Sequence, residues 1–416
     1  MPCAEIRFFV RFGWAKISGT SVAGFTGRNI IGAMKIVLIS NYLPDNSQSM
    51  LRYARMLEWH LRERGHEVSL VHPPAILGKA RFLSRSVGKW IGYIDKYLLA
   101  PPYLQWRCRK ADVVHVCDHS NSMYLSCARR KPKILTCHDL IAINSARGMY
   151  EGVRVRSTGR VQQRWIAAGI RSSPNLICVS EKTKEDVLEL APQIRAEITV
   201  IHHPLNFDFH PSGAEEVRRA LEGIGLPADT EYFLHVGGNQ WYKNRLGALK
   251  IFAELKRMPR FERTRLVMAG KPLSREMLAF RRSSLGDDAV LEAIDISDRD
   301  LRAFYTGALA FLFPSREEGF GWPILEAQAC GCPVVTTNRG PMKEIAGDAA
   351  VLIDPGEPAE AAEKVARALA NRDQLRAMGF RNAARFTVDR AIDAYVEVYA
   401  NAIVRKPERV GVQGSL

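Results

Sequence analysis

The chain has 416 residues, 47% of them apolar, 25% charged, with a formal net charge of +15. That length predicts two or three domains with substantial cores, and the composition excludes a disordered, collagenous or disulfide-scaffold chain. No run of about 18 or more apolar residues is present, which excludes a spanning helix.

The charge is unevenly placed. Residues 1–33 net +3, residues 34–205 net +12, and residues 206–416 net zero. Residues 1–33 lack the continuous apolar run of a secretory signal, and Met34 opens KIVLIS, a buried-strand pattern. They therefore read as an N-terminal extension, an over-extended reading frame or loose tail outside the first domain. The excess in residues 34–205 points to an anionic partner. Within it, Lys79, Arg81, Arg85, Lys89, Lys96, Arg107, Arg109 and Lys110 are opposed by Asp95 alone, and Trp90, Tyr93, Tyr97, Leu98 and Trp106 interleave with them. Such a mixture suits an anionic membrane surface or a phosphorylated acceptor; a solvated basic face over ordinary core aromatics explains it equally well. No recognised nucleic-acid motif accompanies the charge, so no nucleic-acid partner is expected. Cys3, Cys108, Cys117, Cys127, Cys137, Cys178, Cys330 and Cys332 are scattered, with only Cys330-Gly331-Cys332 close together. They read as reduced thiols of a cytoplasmic protein.

From Met34 on, short apolar runs alternate with helical patterns, which predicts parallel sheets built from βαβ units. The first six strands are expected at Lys35–Ser40, Glu67–His72, Asp112–Cys117, Lys133–His138, Asn175–Ser180 and Glu197–His202. After the first, Met50, Tyr53, Met56, Leu57 and Leu61 share one helical stripe that stops at Gly65. HHPLNFDFHPSGAEE lacks periodicity, so residues 206–213 are expected to form a hinge between domains 34–205 and 214–387. In the second domain, strands are expected at Tyr232–Val236, Arg265–Ala269, Ala308–Pro314, Pro333–Thr337 and Ala350–Ile353, with helices starting near Asn244, Asp298, Pro323, Pro341 and Pro358. A last helix over 388–404 could cross back to the first domain, leaving 405–416 as a tail. The expected fold is thus α/β, two Rossmann-like doubly wound domains facing a central cleft. Ligands in such folds gather at the carboxyl ends of the strands.

The densest motif is FLFPSREEGFGWPILEAQACGCPVV. A strand runs into Glu318-Gly319-Phe320-Gly321, and Pro323 begins a helix carrying Glu326 in its expected first turn. Gly319 and Gly321 allow a ligand close to backbone N–H groups near a helix N-terminus, and the two carboxylates suit sugar hydroxyls. Upstream, Gly237 and Gly238 follow a strand, and Lys243 stands where an ammonium can meet a diphosphate at a helix N-terminus. His138-Asp139 closes another strand. Asp118, His119 and Ser120 form a further strand-end loop, and Ser180 sits where a strand gives way to a helix, in the manner of an N-cap. Asp298-Arg299-Asp300 has the form of a cation-binding D-x-D, but a capping serine or aspartate at a helix start accounts for it. No metal is expected.

The stretch Pro314, Ser315, Glu318, Gly319, Phe320, Gly321, Pro323, Glu326, Ala327, Ala329, Gly331, Pro333 and Val334, with Asn338, Arg339, Gly340 and Glu344 downstream, resembles the retaining family-4 glycosyltransferases (glycosyl transferases group 1) of GT-B architecture. The resemblance implies transfer of a sugar from a nucleotide-diphosphate donor, as co-substrate rather than cofactor, to a hydroxyl acceptor. It implies that Glu318 and the amides of Gly319, Phe320 and Gly321 hold the donor sugar and that Glu326 holds the ribose. Gly237, Gly238, Asn239, Lys243 and Lys271 would surround the diphosphate, although Asn239 and Tyr242 stand where the family places an arginine. His138 would line the cleft beside the sugar. The family's first-strand Gly-Gly is replaced by PDNSQSM, so Ser47 and Gln48, with Asp118 and His119, become acceptor-side candidates. The acceptor is expected to be a surface polysaccharide or a lipid-linked glycan, met from the cytoplasmic face of a membrane. A silent nucleotide-sugar-binding protein and a nucleotide-sugar 2-epimerase are the competing readings.

Overall fold

A computed structural model describes residues 32–77 and 92–405. Residues 1–31 and 406–416, and Lys79, Arg81, Arg85, Lys89 and Trp90 of the basic stretch, lie outside the described residues. The first sheet runs in the order β2-β1-β3-β4-β5-β6, with β1 Lys35–Ile39, β2 Glu67–Val71, β3 Val113–Val116, β4 Lys133–Cys137, β5 Asn175–Cys178 and β6 Glu197–Val200. The second runs β12-β11-β10-β7-β8-β9, with β7 Tyr232–Gly237, β8 Arg265–Gly270, β9 Val290–Ile294, β10 Phe311–Phe313, β11 Val334–Thr337 and β12 Ala350–Ile353. Every strand pair is parallel. Two doubly wound lobes result, because parallel neighbours need a crossover that places helices on both faces.

The strands stop slightly earlier than their apolar runs suggest. Ser40, His72, Cys117, His138, Ser180 and His202 each fall just beyond a strand's carboxyl end. The sequence expectation missed β9. It pairs only with β8, at the sheet edge, and in VLEAI only Val290 and Ala293 are buried, so its apolar signal is weak. The helix Gln48–Glu63 buries Leu51, Tyr53, Ala54, Met56, Leu57 and Leu61, with Leu51 rather than Met50 completing the stripe. The seven described cysteines are all buried and unpaired.

The final helix, Val388–Val404, buries Ala391, Ile392, Tyr395, Tyr399 and Ala402 among first-lobe residues including Ile36, Leu38, Tyr53, Leu57 and Val113. Polar atoms in that contact are satisfied by one another. Tyr395 and Tyr53 hydroxyls meet at 2.8 Å, Tyr399 lies 2.8 Å from His115 Nδ1, and His115 Nε2 lies 2.7 Å from Thr136 Oγ1. Burial pushes the His115 pKa down to about 3, so the ring joins this network uncharged. From β1 the chain therefore builds one lobe, then the second, and returns to brace the first.

Candidate active site

Each sheet has one point where successive crossovers leave in opposite directions, between β1 and β3 in the first and between β7 and β10 in the second. At such a point the loops splay and leave a crevice beyond the strand ends. Both crevices are spanned by a polar side-chain pair. In the second lobe Lys243 Nζ bonds Glu318 Oε1 at 2.7 Å and Oε2 at 2.9 Å. In the first, Asn41 Nδ2 donates to Asp118 Oδ2 at 2.6 Å.

Lys243 ends a short turn, Trp241–Lys243, and Asn244 then takes a left-handed conformation (φ 48°) before the helix Arg245–Lys256. Lys243 thus precedes the helix instead of occupying its first residue. Its ammonium lies 5.4 Å from the Phe313 ring centre and 5.7 Å from that of Tyr242, and the Arg316 amide ties the two loops through the Tyr242 carbonyl at 2.7 Å.

The loop carrying Glu318 touches the other lobe. A Cβ on Gly319 would collide with the His138 carbonyl, and the Gly319 carbonyl accepts Ser180 Oγ at 2.8 Å and Thr183 Oγ1 at 3.3 Å. The space expected for a ligand at Gly319 is therefore filled by the first lobe, across a seam only glycine can close. Ser180 meanwhile caps the helix Glu181–Leu190 by accepting from the Thr183 amide at 3.1 Å. Gly321 has φ 102°, a region costly for any residue with a Cβ, and it turns the chain into the helix Trp322–Ala329. Phe320 is buried edge-on against His203 at 5.1 Å. Glu326 is the fifth residue of that helix, one turn further in than expected. It is buried and accepts from the Tyr305 hydroxyl at 3.1 Å. Burial pushes its pKa up to about 7.

Asp298-Arg299-Asp300 is divided between two tasks. Ser297 Oγ accepts from the Asp300 amide at 3.1 Å and donates to the Asp300 carboxylate at 2.7 Å, capping the helix Asp298–Gly307. Asp298 instead reaches across the cleft to Arg52, Nη1 to Oδ1 2.8 Å, on the first lobe's first helix.

Beside Lys243, Arg245 sends its guanidinium beneath the loops that follow β7 and β8. Nη1 donates to Asn239 Oδ1 and to the Lys271 carbonyl at 2.7 Å, while Nε and Nη2 are buried without a partner. Asn239 Nδ2 also donates to the Pro272 carbonyl at 2.8 Å. Gly237 and Gly238 lie half-buried above, and the Lys271 side chain is exposed.

On the first-lobe side, His138 is 5% exposed. Its Nε2 is 2.8 Å from the Cys117 carbonyl, which can only accept, so Nε2 carries the proton. Burial lowers the pKa values of both His138 and His203 and keeps both rings neutral. His138 Nδ1 then accepts from His203 Nε2 at 3.3 Å. Both ring nitrogens of His138, a residue expected to line the cleft beside the sugar, are thus engaged within the protein. Its main-chain carbonyl, not its ring, meets the Glu318 loop. Burial pushes the Asp118 carboxyl up, but nearby His119 and His138, the Asn41 amide and the Ser120 N–H outweigh it and hold the carboxyl low. His119 is buried, with Nδ1 3.4 Å from the His138 amide nitrogen. Ser47 occupies the N-cap position of the helix Gln48–Glu63 without a side-chain cap bond, and Gln48 bonds Asn46.

The family named Glycosyl transferases group 1 matches residues 217–385, and Glycosyltransferase Family 4 matches residues 50–209. The D-inositol 3-phosphate glycosyltransferase of Xylanimonas cellulosilytica is 30% identical over 294 residues, 67% of this chain and 68% of the relative. The chain belongs to the family-4, group 1 glycosyltransferases. The O-antigen chain mannosyltransferase B of Escherichia coli is 27% identical over 278 residues, 64% of this chain and 68% of that protein. Among solved structures, sucrose-phosphate synthase from Thermosynechococcus elongatus superposes with TM-score 0.69 at 17% identity, covering 89% of this chain and 99% of that one. Anabaena HepE in complex with UDP and glucose gives TM-score 0.67 at 13% identity, covering 88% and 99%. The architecture is GT-B.

Several residues of this glycosyltransferase escaped the sequence reading. Arg52 sits in a helical stripe judged by its apolar members. Arg245 and Tyr305 are ordinary helix residues until folding buries them. Asn41 follows the first strand and gained meaning only when Asp118 was placed opposite. His203, in the last residues before the hinge, stacks 4.6 Å from Trp322 and 5.3 Å from His138, joining the lobes through three rings. Its only signal was its place in a non-periodic His-Pro stretch.

Proposed function

We propose that the enzyme transfers a hexose from a nucleotide-diphosphate sugar to a hydroxyl of a growing surface polysaccharide or lipid-linked glycan, with retention at the anomeric carbon and without a metal. One observation carries this reading: Lys243 and Glu318 meet at the second lobe's switch point, with buried Glu326 behind them in the same cleft. Anabaena HepE, solved with UDP and glucose and with UDP-glucose, supports a nucleotide-sugar donor. The O-antigen chain mannosyltransferase supports a surface polysaccharide as product.

In this reading Lys243 turns from Glu318 to the donor diphosphate, above Gly237, Gly238 and Asn239 and near Lys271. Glu318, freed of its partner, accepts hydrogen bonds from the sugar hydroxyls. The amides of Phe320 and Gly321 lie alongside, and Glu326 accepts from the ribose. The bond from the anomeric carbon to the β-phosphate oxygen breaks, the acceptor oxygen bonds the same face, and the leaving phosphate takes the acceptor's proton. Lys243 contributes by stabilising the negative charge that develops on that phosphate. His138 is a positioning residue, holding the seam against Gly319. Asp118, His119, Ser47 and Gln48 surround the acceptor's approach, at the first lobe's switch point.

Incubation with a panel of UDP-, GDP- and ADP-sugars tests the reading by nucleotide release, with and without a lipid-linked acceptor. Acceptor-dependent release from one donor is expected. Binding of a donor with no turnover under any acceptor would instead support the silent binding protein.

A further inference from the structure

The first lobe carries an apolar face that stands exposed among the described residues. Along 94–106, Ile94, Leu98, Pro102 and Trp106 are exposed at four-residue intervals, with Leu98 at 68% and Trp106 at 61%. Four-residue spacing puts them on one side of the continuous helical run that begins before Asp95–Leu99 and continues through Ala100–Cys108. The helix Ser157–Arg171 lies alongside, joined by the Tyr97 and Trp165 rings at 5.2 Å and by Gln162 Nε2 to the Tyr97 hydroxyl at 3.3 Å. It too turns apolar residues outward, Val161 at 64% and Trp165 at 52% exposed. An ordinary amphipathic helix on a water-soluble domain would present polar side chains there.

The charge around this face is predominantly basic, with Asp45 paired to Lys96 at 2.9 Å and Glu151 exposed ahead of the second helix. Arg154, Arg156, Arg160 and Arg164 are exposed along the second helix and its approach, and Ser157–Arg171 contains no acidic residue. Beyond Trp106 the first helix ends in Arg107, Arg109 and Lys110. The only acid within residues 92–110 is Asp95, which is buried and accepts from the Tyr42 hydroxyl at 2.6 Å. We propose that the exposed face formed by Ile94, Leu98, Trp106, Val161 and Trp165, rimmed by Arg160 and Arg164, seats the enzyme on an anionic lipid bilayer. Trp rings fit the headgroup level, where an apolar body and a polar edge are both satisfied. Aliphatic side chains enter the acyl boundary, and arginines meet lipid phosphates.

A second copy of the chain fits this face poorly. A two-fold contact would bring two copies of the same arginine-rimmed face together, setting basic rim against basic rim. An anionic bilayer has the complementary charge. The inference deepens the proposed function by naming the surface through which a lipid-linked acceptor would be met, and it rests on that reading only for its purpose; docking itself requires neither donor nor turnover.

The full chain, without substrates, is floated with vesicles of phosphatidylglycerol and phosphatidylcholine, and with phosphatidylcholine vesicles alone. Wild type is expected to float with the anionic vesicles at low salt, about tenfold more than with the neutral ones, and to be released at high salt. The Leu98→Ser/Trp106→Ser/Trp165→Ser variant, and separately Arg160→Glu/Arg164→Glu, are expected to lower flotation at least about tenfold while keeping the wild-type thermal midpoint. The thermal midpoint checks folding of the serine variant, because Trp165 also packs against Tyr97 at 5.2 Å, whereas Arg160 and Arg164 are exposed. Acceptor-dependent nucleotide release is measured on parallel aliquots supplied with donor and lipid-linked acceptor: its absence fails the transferase reading and leaves docking untouched. Failure of the wild type to float with anionic vesicles overturns the proposal. So does flotation of both variants at the wild-type level, or a concentration-dependent dimer that the serine variant abolishes.

Discussion

Lys243 closes on both oxygens of Glu318, at 2.7 and 2.9 Å, across the point where the second sheet reverses its winding. Both side chains are largely shielded, at 18% and 9% exposure. The cation proposed to meet the diphosphate and the carboxylate proposed to meet the sugar are thus each other's partners. Each holds the other in place through two hydrogen bonds.

Glu318→Ala is expected to lower kcat on the order of 10²-fold, because the lost contact is to the reacting sugar. Lys243→Ala is expected to lower kcat by a similar factor through the leaving phosphate. Because each single variant strands a shielded partner, the double variant should lose less than the product of the two. Steady-state kinetics at saturating acceptor measure all three. Near-normal turnover in both single variants would remove the pair from the site.

Glu326 lends itself to a pH test. Its folded-state pKa is pushed up from 4.5 to about 7 by burial, so the folded protein binds this proton more tightly than the unfolded chain. Its contribution to stability is therefore fully present below about pH 4.5 and is lost as pH rises through about 7. Glu326→Gln should be more stable than wild type at pH 8 by at most ~3 kcal/mol, with little difference at pH 4. Denaturant midpoints at the two values decide it. The same variant should raise the donor KM with little change in kcat, since a ribose contact is shared by ground and transition states.

Asp300→Asn and Ser297→Ala should each cost about 1 kcal/mol of stability by weakening the helix cap, while turnover survives excess EDTA. Arg52→Ala should lower stability by no more than about 1 kcal/mol, since its ion pair with Asp298 is partly exposed. An absolute Mg²⁺ or Mn²⁺ requirement abolished by Asp300→Asn would overturn the metal-free reading.

Arg245 is 3% exposed and joins Asn239 to the Lys271 carbonyl. Arg245→Met should free both loops and weaken nucleoside-diphosphate binding roughly tenfold, measured by calorimetry. Arg245→Lys should restore it in part, because one nitrogen, Nη1, makes both loop contacts and an ammonium can donate to two acceptors, while the shorter side chain leaves the rest of the guanidinium's volume unfilled.

Much of this enzyme was legible along the chain. Parallel strands buried on both faces read as continuous apolar runs, so eleven of the twelve strands stand out in the sequence; edge strand β9, with its weaker burial, does not. Glu318, Gly321 and Glu326 were legible because one loop and one helix hold them within nine residues, where local geometry governs spacing. The surroundings of the His138 ring were not legible because they come from elsewhere in the chain. Cys117 lies 21 residues back and His203 65 residues on, and together they take both ring nitrogens.

The sequence by itself determined the two doubly wound lobes and the E-G-F-G loop, because each depends on contacts near in the chain or on a periodicity of burial. Tertiary structure alone decided that Lys243 faces Glu318 from 75 residues away, and that Arg52 reaches Asp298 over 246. It also decided that Tyr395 returns to Tyr53 over 342. The physical reason is that an ion pair or a buried hydroxyl network leaves no periodic trace in the chain. Its partners are chosen only when packing removes water from both at once and each must satisfy the other.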